Sequence, residues 1–446
     1  MSGPGPTTTD QDRAGRASPP AADRADDDLE AFRAEARAWL AAHVPRRTGP
    51  GPSSGARVAH DTSPEHLARE RARQRELHEA GYVGISLPVA YGGRGLTTAH
   101  ERVWHEESAG YDLPLPGGVA SAVTMEIVLP TLLAHASEEQ KRAWVPRILR
   151  GDELWCQLLS EPGAGSDLAG ILTRATRDGD RWVLEGAKVW SSGALAADYG
   201  ICLARTDWDV PKHRGLTWFK VPLDDPAVTV RPIREINGSA EFCEEFLDGV
   251  AVGDDMVIGA VNDGWAIART MLNIERSGGA ITGRGLVRGP GRRRLAPDLV
   301  ALAEQRGLTD DAATRQLIAR GHIADWQLRV LLERVGTLIM SGRADPATAS
   351  FVKLATGRHD PERAALAMEI AGNLGVAWPE GDEAAEAPAL GFLNGRIMSI
   401  AGGSNEIQRN IIGERLLGLP REPSDDANTP FQQVLLDARS WGSAGR

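Results

Sequence analysis

The sequence RWVLEG at residues 181–186 begins a series of short runs that are rich in apolar and β-branched residues. The later runs are YGICLA (199–204), LTWFKV (216–221), VTVRPI (228–233) and EFCEEFL (241–247). Glycine, proline and aspartate residues separate the runs, as is typical of short strands joined by turns. We therefore predict a small all-β barrel domain over residues 154–260.

The sequence before this segment has helical periodicity. Phe32, Ala36 and Leu40 recur at i, i+4 and i+8, which places them on one face of a helix. Residues 137–140 form an S-x-x-Q capping box, which is a signal for the start of another helix. These patterns predict an N-terminal α-helical domain over residues 28–153.

Helical periodicity returns after the β segment. The predicted helices are 265–276, 312–335, 346–358, 362–370 and a last one from Ser404 to about Leu417. They predict a C-terminal α-helical bundle over residues 261–425 and a C-terminal tail at 426–446. Because helix, β and helix follow one another as blocks rather than alternating, the predicted fold class is mainly α with a central β domain, without a Rossmann sheet.

The composition narrows the classes of function. The chain has 446 residues, enough for about three domains, and a net charge of −11, which argues against nucleic acid as the partner. Residues 1–27 predict a disordered tail with no secretory leader, and no apolar run reaches the roughly 18 residues of a membrane span. The isolated Cys156, Cys202 and Cys243 predict three buried thiols in a cytoplasmic protein.

The common nucleotide, metal and hydrolase motifs are missing. Arg288 stands where the last glycine of a G-x-G-x-x-G motif beginning at Gly283 would be, and no P-loop is present. The histidines show no zinc spacing, so no metal site is predicted. Ser166 lies in GAGSD rather than in a G-x-S-x-G nucleophile elbow. Hydrolase and zinc-enzyme functions are therefore disfavoured.

Three other segments have the character of a binding site. They are LSEPGAGSD (159–167), KVWSSG (188–193) and AGGSNEIQRN (401–410). Small residues let a ligand approach the backbone, a tryptophan suits stacking on a flat heterocycle, and a helix N-terminus entered through glycines suits an anion. Each segment alone also fits a simpler interpretation: a glycine-rich turn, a core tryptophan and a capped helix.

Taken together, the three segments resemble the signatures of the acyl-CoA dehydrogenase family. Those signatures read T-E-P-x-A-G-S-D, K-x-W-I-[ST]-N and E-G-T-S-[EQ]-I-Q-R, and the resemblance extends over about residues 28–422. It implies an N-terminal helical domain, a small β-barrel and a C-terminal helical bundle. It also implies an FAD between the barrel and the C-terminal helices.

The resemblance assigns roles to individual residues. The residues implied to contact FAD are Leu158, Ser160, Gly165, Ser166, Trp190, Ser191, Ser192, Glu369, Gly372, Ser404 and Glu406. The residues implied to contact the acyl-CoA substrate are Ser166, Arg276, Gly402 and Gly403. The segment EIAGN (369–373) resembles the family's Q-x-x-G-G stretch, which meets the FAD of a neighbouring subunit, with Glu369 in place of glutamine.

The catalytic base departs from the commonest family pattern. The usual glutamate stands directly before G-T-S of the last signature, and Gly402 occupies that position. In some members the base comes instead from an E-R pair on the helix after the β domain, and this chain has NIER at residues 273–276. The resemblance thus implies Glu275 as the base, with Glu406 as a weaker rival. Without it, Glu275 also fits a solvated or ion-paired carboxylate.

A second departure concerns the family's R-x-x-F-G segment, which reaches FAD across a dimer interface. No such segment is found, and GPGRRR (289–294) lies in that region. This resembles bacterial members that work as mixed pairs. The implied assembly is a homodimer, a homotetramer or an α2β2 complex with a paralogue.

The implied reaction is dehydrogenation of an acyl-CoA to a trans-2-enoyl-CoA, with electrons passed to an electron-transfer flavoprotein. The alternatives are a flavin-supporting subunit without turnover, a flavin oxidase, and a dehydrogenase of carrier-protein thioesters. The sequence does not determine the acyl group, because its length and shape depend on the pocket.

Overall fold

The computed structural model describes residues 21–47, 63–113, 118–276, 297–378, 382–424 and 426–443. Helices come first, a β domain follows and helices return, so the predicted fold class is confirmed. Of the predicted N-terminal tail, residues 1–20 lie outside the described residues, and the first helix begins at Ala21 rather than at Asp28. This earlier start reflects the alanine, arginine and aspartate residues there, several of which favour helix or its first turn.

The N-terminal helices are α1 (Ala21–His43), α2 (Pro64–Glu79), α3 (Thr98–Ser108), α4 (Val119–Val123), α5 (Leu129–His135) and α6 (Glu138–Leu149). Phe32 and Leu40 of the predicted apolar stripe are buried against Tyr82 and Trp104. The predicted capping box is present, because the Ser137 side chain accepts a hydrogen bond from the backbone N–H at the start of α6. These helices form the first layer of the molecule.

The β domain has eight strands: β1 (Trp155–Leu158), β2 (Arg174–Asp178), β3 (Arg181–Ser192), β4 (Tyr199–Arg205), β5 (Leu216–Pro222), β6 (Val228–Pro232), β7 (Phe242–Gly253) and β8 (Val257–Ile258). They form one sheet in the order β6-β7-β3-β2-β4-β5-β8, and β1 pairs with β4. Every run quoted above overlaps a strand. Strands β1, β2 and β8 were not predicted from the sequence, because β1 and β8 are very short and the sequence of β2, RATRD, is polar.

The interior of the β domain is apolar. Cys156, Cys202 and Cys243 are buried there and free, which confirms the prediction of three buried thiols. A second core joins this domain to the helices around it and includes Trp155 and Trp218. The helix that follows β8 has one face buried in this core. Its other face lines a cleft.

The C-terminal helices are α7 (Gly264–Arg276), α8 (Pro297–Gln305), α9 (Ala312–Met340), α10 (Ala349–Ala371), α11 (Asn373–Ala377), α12 (Glu383–Asn394) and α13 (Asn405–Ile411). The two helices predicted at 346–358 and 362–370 are one continuous helix, α10, with Pro361 inside it. An internal proline removes a hydrogen bond and strains a helix. Here the packing of α10 against α9, α12 and α13 outweighs that cost.

The predicted C-terminal tail, residues 426–446, contains a further helix, α14 (Phe431–Ser443). The Phe431 side chain is buried, its ring stacks on Trp208, and the Arg205 guanidinium lies 4.0 Å from the ring centroid. These contacts pack the start of α14 against the β domain. A sequence-based prediction misses them because the partners of Phe431 come from a distant part of the chain. Within the described ranges, every helix is too short or too polar to span a lipid bilayer.

Candidate active site

A large cleft lies between the β domain, α7 and the segment that runs from α12 through α13. Its volume is about 1160 Å³. It is lined by many of the predicted site residues: Ser160, Gly165, Ser166, Trp190, Ser192, Glu275, Arg276, Gly402 and Gly403. Three segments that are far apart in the sequence therefore meet around one space.

A buried ion pair joins the first two signature segments. The Lys188 ammonium donates to the Glu161 carboxylate over 2.9 Å and also to the carbonyl oxygen of Leu159. Burial alone would raise the pKa of Glu161, but Lys188 and the N–H donors of Leu172 and Thr173 outweigh it and lower that pKa. The pair thus fixes the strand that carries Trp190 next to the turn that carries Ser160.

Trp190 enters the cleft through an irregularity in β3. The register between β3 and β7 shifts between Val189 and Ser191, and Trp190 has a φ of 67°. A positive φ is costly for a bulky residue and marks a functional or strained position. The Trp190 side chain is 58% exposed, and its ring meets the edge of Phe242. The shift leaves a broad aromatic surface available to a ligand.

Some predicted residues point elsewhere. The Ser191 hydroxyl donates to the buried Glu245 carboxyl over 2.8 Å, inside the β domain, where burial raises the pKa of Glu245 to about 7. Leu158 is also fully buried there. Neither side chain lines the cleft.

The remaining predicted residues lie on the C-terminal helices outside the lining of the cleft. Glu369 and Gly372 are exposed at the end of α10. Ser404 caps α13, and Glu406 is exposed and paired with Arg409 over 2.9 Å. The arginine-rich segment 289–294 lies outside the described residues.

The decisive contact in the cleft joins Glu275 to Gly402. Gly402 has a φ of +66°, and a Cβ placed on it would lie 3.1 Å from Oε1 of Glu275. The Glu275 carboxylate from α7 therefore fills the space that a side chain at position 402 would need. Because Gly402 has no side chain, there is room beside it for the Glu275 carboxylate.

The surroundings of Glu275 favour the protonated, neutral form of its carboxyl more than bulk water does. Burial raises the pKa of its carboxyl, and the charges of Arg276 and Lys353 and the amide of Gln157 oppose that rise only in part. Arg276 donates from Nε to the carbonyl oxygen of Gly402 over 3.2 Å, which ties α7 to the last signature segment. A carboxylate with a raised pKa in a sheltered cleft is suited to general-base catalysis.

Two polar residues at this site were not predicted from the sequence. Gln157 lines the cleft, and its side-chain amide faces Glu275. Lys353 on α10 is 5% exposed and faces Glu275. Both are single polar residues inside apolar runs, WCQLL and FVKLA, and that pattern is the signal that could have found them.

Metal binding has no support in the geometry. Across the described ranges, no group of three or more histidine, cysteine, aspartate or glutamate side chains could hold a metal ion.

The fit between Gly402 and Glu275 leads to a prediction. Gly402→Ala should slow turnover about tenfold, because the new methyl group crowds the carboxylate and moves it by a few tenths of an ångström. Gly418→Ala is the matched control, since Gly418 also has a positive φ but open space around it. The rates of the reaction in the two variants and the wild type should be compared at equal protein concentration. Equal rates in both variants would contradict the proposed contact.

The fold and the cleft define a class of protein: an enzyme with a β domain between two helical regions and a partly buried carboxylate in the cleft where they meet. Models of the acyl-CoA dehydrogenase N-terminal, middle and C-terminal domains match residues 26–152, 156–250 and 262–417. The chain belongs to the acyl-CoA dehydrogenase family, whose members are flavoprotein oxidoreductases.

Individual relatives agree with this assignment. Acyl-CoA dehydrogenase IpdE1 of Mycobacterium tuberculosis is 39% identical over 399 residues, which cover 89% of this chain and 99% of the relative. Among solved structures, the Tcur3481-Tcur3483 steroid ACAD is 31% identical with a TM-score of 0.70, covering 89% of this chain and 98% of the other. The ChsE4-ChsE5 complex from Mycobacterium tuberculosis is 26% identical with a TM-score of 0.64, covering 92% and 100%.

Proposed function

We propose that this protein removes two hydrogens from an acyl-CoA thioester to form a trans-2-enoyl-CoA, with Glu275 as the base and an electron-transfer flavoprotein as the electron acceptor. The placement of the Glu275 carboxylate in the space beside Gly402 is the observation that carries the proposal. The family provides the general reaction.

The cleft fits FAD as the cofactor. Trp190 offers an exposed ring, and Ser160 and Ser192 line the same space. When bound, FAD accepts the hydride that leaves the β-carbon of the acyl group. The side chains present would hold the cofactor against the β domain, which leaves the α7 side of the cleft to the substrate.

The protein's own residues prepare the proton transfer. The hydrogen on the carbon next to a thioester is weakly acidic, so its removal needs a positioned base in a site that excludes water. Glu275 is on α7, which is fixed on its buried face by Ile267, Met271 and Ile274. Arg276 holds the segment at Gly402 against this helix. The carboxylate is thereby kept at one wall of the cleft and receives the proton there.

The decisive experiment is an anaerobic titration of the purified protein with a panel of acyl-CoA thioesters. The proposal predicts a yellow protein whose flavin absorbance bleaches with at least one member of the panel. The panel should include straight-chain, branched and bulky polycyclic acyl groups, because the name of one structural relative mentions a steroid. Flavin-loaded protein that no thioester bleaches would contradict the proposal.

The rate should depend on pH in a direction set by Glu275. Only the ionised carboxylate can accept the proton, and burial raises the pKa of Glu275 above that of an ordinary glutamate. The rate should therefore fall about tenfold per pH unit below that raised pKa and level off above it. Stopped-flow measurement of flavin reduction across pH checks this, with circular dichroism at each pH as the control for folding. A flat profile would argue against a carboxylate base with a raised pKa.

A second candidate function is a flavin-supporting subunit without turnover of its own. It is favoured by the lack of an R-x-x-F-G segment and by relatives whose names join two components, Tcur3481-Tcur3483 and ChsE4-ChsE5. Purification alone and with a co-expressed paralogue separates the two functions. Stoichiometric FAD and turnover in the chain alone would exclude the supporting role, whereas FAD recovered only in an α2β2 complex would favour a mixed assembly.

A further inference from the structure

Lys353 is a buried cation that neither the sequence motifs nor the mechanism above uses. It lies in the first half of α10 and is 5% exposed. Its ammonium donates to the carbonyl oxygen of Met398 over 2.5 Å. A buried lysine is rare, because removing an ammonium from water is costly unless a counter-charge or strong acceptors are near.

The surroundings of Lys353 bring α10 against the segment that carries Gly402. One turn further along α10, the carbonyl oxygen of Gly357 accepts a hydrogen bond from the Ser399 hydroxyl over 2.7 Å. A Cβ on Gly357 would lie only 2.7 Å from the carbonyl oxygen of Met398, so the two segments pack closely. The residues just before the last signature segment, Met398 and Ser399, therefore pack directly against α10.

The side chains of Lys353 and Glu275 both lie close to Gly402. The position of a Cβ on Gly402 lies 3.1 Å from Cε of Lys353 and 3.1 Å from Oε1 of Glu275. One charge comes from α10 and the other from α7, and the glycine between them has no side chain to separate them. Opposite charges in a sheltered place interact more strongly than on the surface, because water screens them less.

We propose that Lys353 is a positioning residue for the base, which places a positive charge beside Gly402 and thereby stabilises the negative charge of the Glu275 carboxylate. This inference rests on the proposed function of Glu275. It explains why a lysine is buried in an otherwise apolar part of α10. It also gives α10, which is not part of the cleft lining, a role in the proton transfer.

Other charged groups face this pair and must be considered with it. Arg276 faces Glu275 from α7 itself, and Arg415 faces Arg276 from the segment after α13. Asp360 faces Lys353 from further along α10. Burial lowers the pKa of Lys353, and Glu275 and Asp360 oppose that fall. The neutral amide of Gln157 contributes no charge, so the cations acting on Glu275 are Lys353 and Arg276.

The test separates the charge of Lys353 from its hydrogen bond. Lys353→Met removes both, Lys353→Gln removes the charge and keeps a donor for Met398, and Lys353→Arg keeps the charge. Ser399→Ala is the matched control, because it loosens the same segment without changing any charge. The readout is the pH profile of anaerobic flavin reduction by an acyl-CoA that bleaches the wild-type protein.

The expected result is a shift of the acid limb of the pH profile, which is the range where the rate falls as the pH is lowered. In Lys353→Met and Lys353→Gln the limb should move to higher pH by about one unit, the lower end of what a nearby opposite charge does to a carboxyl. Lys353→Arg should restore the wild-type position, and Ser399→Ala should leave it there even if the rate falls. Unshifted limbs in both neutral variants would overturn the inference, and would show that Lys353 only supports the fold.

A second readout does not depend on turnover. The carboxylic-acid C=O band of Glu275, identified by its loss in Glu275→Gln, can be titrated by infrared spectroscopy in the protein without substrate. Its midpoint should rise in Lys353→Gln and stay in Lys353→Arg. Wild-type protein that never bleaches would refute the proposed function, while the infrared midpoints still decide the role of Lys353. If Lys353→Met fails to fold, Lys353→Gln and Lys353→Arg suffice.

Discussion

Replacing Glu275 by glutamine is expected to slow flavin reduction by acyl-CoA at least about 100-fold, while the protein keeps its fold and its flavin. Glutamine has nearly the same shape as glutamate, so it still fills the space beside Gly402. It cannot accept the proton from the substrate. The measurement is single-turnover bleaching of the flavin under anaerobic conditions, with the flavin content of each preparation determined first.

Glu406 provides the matched control for this experiment. It is the carboxylate of the last signature segment, and it is exposed and paired with Arg409. Glu406→Gln should therefore retain most of the rate. If Glu275→Gln bleaches as fast as the wild type, Glu275 is not the base, and a large loss in Glu406→Gln alone would move that role to Glu406.

Replacing Lys188 by methionine is expected to reduce the stability of the protein by about 3–5 kcal/mol, because it leaves the Glu161 carboxylate buried without its cation. The Lys188 side chain is fully buried, so water cannot replace it. The thermal midpoint should fall by several degrees. Flavin retention should fall as well, because the pair holds the segments of Ser160 and Trp190 together.

The control for Lys188 is an ion pair in the same sheet. Arg174 and Glu185 join β2 and β3 on the surface, with both side chains well exposed. Exposed pairs contribute little to stability, so Arg174→Met should leave the midpoint almost unchanged. Equal midpoints for Lys188→Met and the wild type would show that the buried pair is not needed for the stability of the β domain.

The fold could be predicted from the sequence because its signals are local. The runs at 199–204 and 216–221 correspond to β4 and β5, and the capping box at 137–140 starts α6. Where the signal is weak or the packing decides, prediction fails. The polar β2 gave no strand pattern, Pro361 suggested a break that α10 does not have, and Phe431 depends on Trp208.

The residues of the candidate site also fall into two groups: those that could be predicted from the sequence and those that could not. Ser160, Trp190 and Glu275 stand in recognisable motifs, so they could be named from the residue order. Lys353 and Gln157 stand in no motif. A single polar residue in an apolar run marks each position, but only the packing of α10 and β1 shows that both face Glu275. Ser191 lies in a motif, yet its hydroxyl faces Glu245 inside the β domain, because the register shift in β3 turns neighbouring side chains to opposite sides.

The order of amino acids alone therefore determined the three blocks of structure, because periodicity, capping and turn residues act over a few neighbouring positions. The segments that surround the cleft were indicated by their resemblance to the family's signatures. Only the tertiary structure decided that Glu275 lies against Gly402 and that Lys353 faces them both. These residues come from α7, α10 and the segment before α13. Their contact depends on how distant helices pack, which no local pattern records.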